Sequence, residues 1–343
     1  MYVAARRLYV AVGPCPTVRR GTRYNRGMHA WQRPFALRPT FAERPWGVTD
    51  LSPWFESPRP GVKVGEAWFT ADANPTSTGE TFGALTRAFP EEILGPGQGV
   101  ECPLLVKILF TSERLSVQVH PDDAYAAEQH HGARGKTEAW HVIAAEPHAT
   151  IGLGLSAPLT REQAEVAALS GEIEHLMDWR PAAEGDTFLV PAGTVHALGP
   201  GLTLVEVQQQ SDITYRLFDY GRGRELHLQR GFDVADLGPY TLGNDTRHTA
   251  DAGRTILTRC RYFTMECRTL VGPLSFAPLA AHFHLVVVIK GQGQIAGQPM
   301  DQGSVWCVPA RAEPFAIESA HGCEVLITYP SVAPTPSFYD SPA

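Results

Sequence analysis

From about residue 35 onward, apolar residues come in short bursts: "GEAWFTA", "PLLVKILF", "LSVQVH", "EAWHVIAA", "TFLVPAG", "LTLVEVQQQ" and "TYRLFDY". Each is rich in Val, Leu, Ile or aromatic side chains and is bounded by Gly, Pro or Asp, which predicts β-strands. Their spacing predicts an antiparallel barrel or sandwich. Two stretches change to a helical period. "PDDAYAAEQHHG" (121–132) opens with Pro and two acids and closes at Gly132, the marks of a short helix. "LTREQAEVAALSGEIEHLMDW" (159–179) sets Thr160 and Gln163 as a capping box and repeats Ala, Leu and Ile at helical spacing, so a helical insertion is predicted near 158–180.

A second strand-rich block follows: "RYFTMECRTL", "HFHLVVVIKGQGQI", "GSVWCVPA" and "CEVLITYP". "DLGPYTLGNDTRHTADAG" (236–253) reads as a loop between the blocks. "EGDTFLVPAGTVHAL" in the first block and "DQGSVWCVPARAEPF" in the second repeat one phrase, a Gly, a strand, a Pro and a turn. The expected fold class is therefore mainly β, with two jelly-roll barrels and a helical insertion in the first. The first unit is placed at 35–235 and the second at 250–333. Residues 1–30 are expected to form a disordered extension, with Met28 read as the functional start, and 334–343 a loose Pro- and Ser-rich tail.

Period-two reading of "LSVQVHPDD" (115–123) puts Leu115, Val117 and Val119 on one face and Ser116, Gln118 and His120 on the other. A solvated strand face usually carries Lys, Glu or Thr; this one offers two metal or hydrogen-bonding groups. Downstream, Glu138 opens a strand after "ARGKT", and Gly185, Pro191, Gly193 and His196 fit G-x5-P-x-G-x2-H. Pro and Gly turn the chain there so that His196 starts a strand facing inward. This spacing resembles the second motif of the cupin fold, although Pro200 stands where that pattern expects Asn. Two histidines and a carboxylate from three strands, with a Gln carbonyl beside them, suffice for one divalent ion with a position left open.

Composition narrows the partners. The 343 residues are 43% hydrophobic with a formal charge of -7, enough for a sizeable core and unsuited to nucleic acid. Residues 1–30 hold six arginines and no acid, so the remainder carries 23 basic against 36 acidic residues, or -13. Binding an anion then demands positive charge gathered locally. Six cysteines without a CxxC pair suggest buried thiols in a reducing compartment. No apolar run is long enough to span a membrane, and cytoplasmic location is expected.

Taken together, "FAERPWG" (41–47), "GEAWFTA" (65–71), "LLVKILFTSERLSVQVHPDD" (104–123), "GKTEAWHVI" (135–143), "GDTFLVPAGTVHAL" (185–198) and "VEVQQQSDITYRLFDYGR" (205–222) closely resemble the type I mannose-6-phosphate isomerases of the shorter bacterial cupin form. The resemblance covers most of residues 41–222, whereas the second block matches in layout only. It implies one zinc ion per chain, held by Gln118, His120, Glu138 and His196. It also implies Arg216 as the active-site arginine, Lys136 reaching into the same pocket, and a sugar phosphate as substrate.

Interconverting an aldose and a ketose phosphate through a cis-enediol needs an electrophile, a proton carrier and an anion clamp. Arg216 on "TYRLFDY" and Lys136 suit the clamp, and Lys136 with a lowered pKa would also suit proton transfer. For the proton on carbon, Glu206, Asp212, Lys136 and a metal-bound hydroxide all stand as candidates. Asp212 and Ser116 are further candidates for binding substrate. His282 and His284 are expected not to form a second metal site, because "PARAEPF" removes the third ligand. Two rival readings fit the metal set: an Fe(II) cupin dioxygenase and a non-catalytic sugar-phosphate-binding cupin. A monomer or homodimer is expected.

Overall fold

The computed structural model describes residues 30–242, 248–251 and 253–331. The extension expected over 1–30 and the tail at 334–343 fall outside the described residues, except for Ala30. The described chain is mainly β, and its strands form three antiparallel sheets. One has six strands in the order Thr40–Val48, Val64–Trp68, Leu104–Phe110, Leu202–Gln209, Glu138–Ala145 and Thr187–Val190. Another has five, ordered Tyr215–Phe218, Val117–Val119, His196–Leu198, Thr150–Leu155 and Met177–Pro181.

These two sheets face each other, and strand alternation decides what lies between them. Along Leu202–Gln209, Leu202 and Leu204 point into a core shared with Leu109, Trp140, Val142, Phe188, Ile151, Leu153 and Leu198. Glu206 and Gln208 continue that same face, so one interior is apolar at one end and ionisable at the other. The opposite face, Val205 and Val207, packs with Val106, Ile108 and Ala139 against Met265, Leu285, Val287 and Leu326 of the third sheet. Helices cover the outside of the five-stranded sheet: Ala164, Ala167 and Ala168 of Arg161–Ser170 and Phe232 of Leu228–Val234 meet Val117, Val119, Ala197 and Leu217.

The third sheet has ten strands, nine of them from the second block. Leu274–Phe276, Gln298–Asp301 and Phe315–Glu318 leave its main path and enclose a second core around Val286, Val288, Trp306, Val325 and Ile327. The tenth strand is Phe35–Leu37, which pairs with Val305–Val308. A strand from the start of the chain thus completes the sheet built by its end. The helical insertion also ends earlier than its pattern suggested. Gly171, in the left-handed conformation at φ 86°, stops the helix Arg161–Ser170, and after a short turn at Ile173–Leu176 the "MDW" segment extends along the open edge of Thr150–Leu155.

The five cysteines within the described residues are free thiols. Burial pushes Cys102 up to about 12, Cys260 to about 11 and Cys267 to about 12, leaving almost no thiolate near neutrality. Peptide mapping after brief alkylation at pH 8 should find Cys102, Cys260, Cys267, Cys307 and Cys323 unlabelled in the native protein and fully labelled in denaturant. Rapid native labelling of Cys102 or Cys307 would contradict the packing between the sheets.

Candidate active site

Cross-strand register gathers the ionisable residues at the polar end of the interior. Glu206 lies opposite Lys107 on one side and Trp140 on the other, and Gln208 lies opposite Glu138. From the five-stranded sheet, Gln118 lies opposite both His196 and Arg216. His120 follows directly on the strand end, where its carbonyl accepts a hydrogen bond from Gly193 N–H of the turn at 2.9 Å. Gly193 adopts φ 88°, a conformation that a side chain would strain.

His120, Glu138 and His196 bring one ligand atom each to within 4.8 Å of one another, and all are about 1% exposed. Glu138 Oε2 is 3.6 Å from His120 Nε2, Glu138 Oε1 is 3.3 Å from His196 Nε2, and the Gln118 amide nitrogen is 3.2 Å from His196 Nε2. Ligand atoms of a tetrahedral centre with bonds of about 2.0–2.1 Å stand about 3.3–3.4 Å apart, so this spacing fits a small divalent ion. Turning the Gln118 amide over would present its oxygen there. The histidines are oriented for the same purpose. Each donates Nδ1–H to a backbone carbonyl, His120 to Ile213 and His196 to Thr194, both at 2.8 Å, which leaves both Nε2 lone pairs facing inward.

Burial pushes the His120 imidazolium down to about 3 and lowers His196 as well, so both rings stay neutral and able to ligate. Burial, the largest single effect, would raise the Glu138 carboxyl, but the Lys136 ammonium together with His120 and His196 outweighs it and holds Glu138 well below the usual carboxylate range. Lys136 Nζ stands 2.7 Å from Glu138 Oε2 and 3.0 Å from His120 Nε2. That oxygen, ion-paired with the Lys136 ammonium, has no other hydrogen-bond partner among the described residues. A buried carboxylate oxygen with coordination capacity to spare, among inward lone pairs, is the donor set a cation requires.

Behind the cluster lies a second row of charge. Lys107 is 4% exposed; its ammonium donates to Glu206 Oε1 at 3.0 Å and Gln208 Oε1 at 2.7 Å and lies over the Trp68 ring. Lys136 is also 4.0 Å from Glu206 Oε1. Burial raises the Glu206 pKa, only partly offset by Lys107 and Lys136, which makes it more basic than Glu138 or Glu66. For Lys136, burial is outweighed by Glu138 and Glu206, so its pKa is raised and not lowered; the expectation of a lysine easily deprotonated is therefore corrected. Glu66 accepts from Arg44 at 2.6 Å and from Trp68 Nε1 at 2.8 Å.

The remaining sequence candidates sit at the edge of this cluster. Ser116 Oγ donates to Gln118 Oε1 at 3.2 Å. Arg216 shares the interior face through its register with Gln118, while its Nη1 donates to Glu225 O at 2.8 Å and its buried Nε has no hydrogen-bond partner among the described residues. Asp212 is close enough to help raise the Lys136 pKa.

A family model described as the catalytic domain of type I phosphomannose isomerase matches residues 35–140. Mannose-6-phosphate isomerase ManA of Bacillus subtilis (strain 168) is 35% identical over 312 residues, covering 85% of this chain and 98% of that relative. The chain belongs to the type I phosphomannose isomerases. A mannose-6-phosphate isomerase from Streptococcus mutans is 34% identical over 277 residues, or 76% of this chain and 86% of that one. The crystal structure of a mannose 6-phosphate isomerase from Bacillus subtilis superposes with a TM-score of 0.78 at 31% identity, covering 87% of this chain and 99% of that one. A phosphomannose isomerase from Salmonella typhimurium, 13% identical, shares the fold with a TM-score of 0.72 over 87% of this chain and 100% of that one.

Sequence reading within this family missed Lys107, Glu66 and Gln208. The available signal was a lysine in the middle of the otherwise apolar run "PLLVKILF". It also missed how the Lys136–Glu138 loop is fixed. Asp123 Oδ1 accepts from Gly135 N–H at 2.9 Å and from Gln209 Nε2 at 2.8 Å, and Asp123 Oδ2 accepts from Tyr262 O–H at 2.9 Å. A Cβ on Gly135 would lie 2.4 Å from the Asp122 carbonyl carbon, so only glycine lets the loop pass there. Gly135→Ala should therefore displace Lys136 and Glu138 and lower kcat/KM by about 100-fold or more with the fold retained, because a misplacement of about 1 Å costs that much. Tyr262→Phe should lower it about tenfold through the same loop. Steady-state kinetics with circular dichroism checks both, and wild-type kinetics in Gly135→Ala would contradict this role.

Proposed function

We propose that the protein is a zinc-dependent isomerase interconverting mannose 6-phosphate and fructose 6-phosphate through a cis-enediol. The observation that carries this reading is the convergence of inward Nε2 lone pairs of His120 and His196 on Glu138, bordered by two buried lysines and a raised-pKa carboxylate. Gln118, His120, Glu138 and His196 would hold the ion. A structural neighbour sharing the fold was solved as a mannose 6-phosphate isomerase bound with zinc and yttrium, which supports this choice. When bound, the ion supplies Lewis-acid polarisation of the two substrate oxygens.

The chain's own groups then divide the proton work. Glu206 takes the proton from C2, being the more basic interior carboxylate. Lys136, kept protonated by Glu138 and Glu206, donates to O1, which completes the enediol. Loss of the O2 proton and delivery of a proton to C1 give the ketose, so no atom is gained or lost. Arg216 clamps the phosphate, with its uncommitted Nε–H available, and Ser116 and Asp212 line the same site as substrate-binding residues. Lys107 orients Glu206 and keeps that carboxylate compensated. The enzyme acts in the cytoplasm as a monomer or homodimer. Its catalytic unit spans about 35–235, with Phe35–Leu37 lent to the other sheet, and the unit at 250–333 carries no metal site of its own.

Purified protein should convert mannose 6-phosphate to fructose 6-phosphate in a coupled assay. Chelation should abolish turnover, added zinc should restore it, and His120→Ala should remove it. Glu206→Gln should lower kcat by about 100- to 10,000-fold, the range of general-base catalysis, with KM little changed. Turnover untouched by chelation, metal-dependent oxygen uptake, or phosphosugar binding without isomerisation would each defeat the proposal.

A further inference from the structure

The second core also ends in a polar cavity. It measures about 250 Å³ and is lined in part by Arg254, Glu266, Arg268, Phe276, His284 and Tyr329. Arg254, Glu266 and Arg268 come from neighbouring strands, Arg254–Arg259 and Phe263–Leu270, and Arg254 lies opposite Arg268 in register. Tyr329 and His284 come from the next two strands along the sheet. Alternation places Glu266 and Arg268 on the face opposite Met265, which belongs to the core between the sheets.

Three features of this cavity point to a ligand. Glu266, 4% exposed, is held by both guanidinium groups: Arg254 donates to it from Nε and Nη2 at 2.9 and 2.8 Å, and Arg268 from Nε at 3.1 Å. Two cations share one carboxylate, so the group carries a net positive charge. A guanidinium has five N–H donors, and Glu266 takes only one from Arg268, whose side chain is 21% exposed. The cavity wall also holds a buried donor or acceptor with nothing to do. His284 is 5% exposed and its Nδ1 has no hydrogen-bond partner among the described residues. Burial pushes that ring down to about 3, with His282 adding to the effect, so it offers a neutral N–H or lone pair. Finally, the wall is lined by aromatic faces: Phe276 meets the His284 ring edge-on at 5.2 Å, and Tyr329 borders both histidines.

Uncommitted guanidinium donors above a neutral imidazole, walled by aromatic rings, recognise an oxyanion attached to a compact polar or ring-shaped body. We infer that the second unit binds a small oxyanion-bearing molecule in this cavity, a phosphate monoester or a carboxylate. The oxyanion rests on Arg254 and Arg268, and the body lies along Phe276 and Tyr329 with a polar group on His284. Glu266 aligns the two guanidinium groups and limits the charge, favouring ligands of low negative charge. The site is separate from the one at Glu138 and does not rest on the chemistry proposed there.

Equilibrium dialysis of the full chain against radiolabelled inorganic phosphate, and separately against labelled acetate, counts the sites. At millimolar concentration the wild type should bind, besides any phosphate that Arg216→Ala removes, one further equivalent of phosphate or of acetate. Arg268→Gln should remove that further equivalent, weakening that site at least tenfold. Leu279→Trp, at an exposed position in the cavity lining, should do the same by filling the cavity without disturbing the core. Both variants should keep wild-type isomerase kinetics. Retention of phosphate would assign a phosphate ester and of acetate a carboxylic acid. A single phosphate equivalent that disappears with Arg216→Ala but survives Arg268→Gln and Leu279→Trp, with no acetate bound, would overturn the inference.

Discussion

Charge taken out of water constrains this protein more than any other interaction. Lys107, Lys136, Glu138 and Glu206 are each 5% exposed or less, and every buried ion costs several kcal/mol unless closely paired. The pairs are close: Lys107 with Glu206 and Lys136 with Glu138. Two lysines against two glutamates make a nearly neutral group. A divalent cation there would add the charge that a phosphate dianion brings back, and so would let a net acidic chain receive an anion. Everything around the group keeps it dry and aligned, from the apolar floor of Leu204, Trp140 and Leu109 to the neutral histidines.

The second unit supports this arrangement. Its sheet packs flat against the outer face of the six-stranded sheet through Val205, Val207, Met265, Leu285 and Leu326, so the strands bearing Lys107 and Glu206 have protein on both faces. It also reaches the site directly, since Tyr262 holds Asp123 and Asp123 holds the backbone beside Lys136. The exchange runs the other way at Phe35–Leu37, which completes the second unit's sheet. Each part of the fold thus lends a strand or a side chain to the other, and relatives match over most of the chain.

Much of the site was legible because strand alternation is a local rule. Gln118 and His120 could be placed on one face from "LSVQVH" alone, and the Pro-Gly turn before His196 announced the third strand. Lys107 was not read because a charge in an apolar strand can face either side until the packing on both faces is known. The three-residue strand at Phe35–Leu37 pairs across some 270 positions with Val305–Val308, a choice made by topology and invisible to any local pattern. "MDW" carried a helical rhythm, yet the free edge of Thr150–Leu155 drew it into the sheet. Tertiary hydrogen bonding outweighed propensity there.

The proposed function requires one divalent ion held by Gln118, His120, Glu138 and His196. X-ray absorption on protein carrying one equivalent of zinc tests it most directly. A shell of nitrogen and oxygen only is expected, at about 2.0–2.1 Å, with the outer-shell signature of two imidazoles that falls to one in His196→Ala. A sulfur neighbour at about 2.3 Å, or a spectrum unchanged by loss of His196, would contradict it.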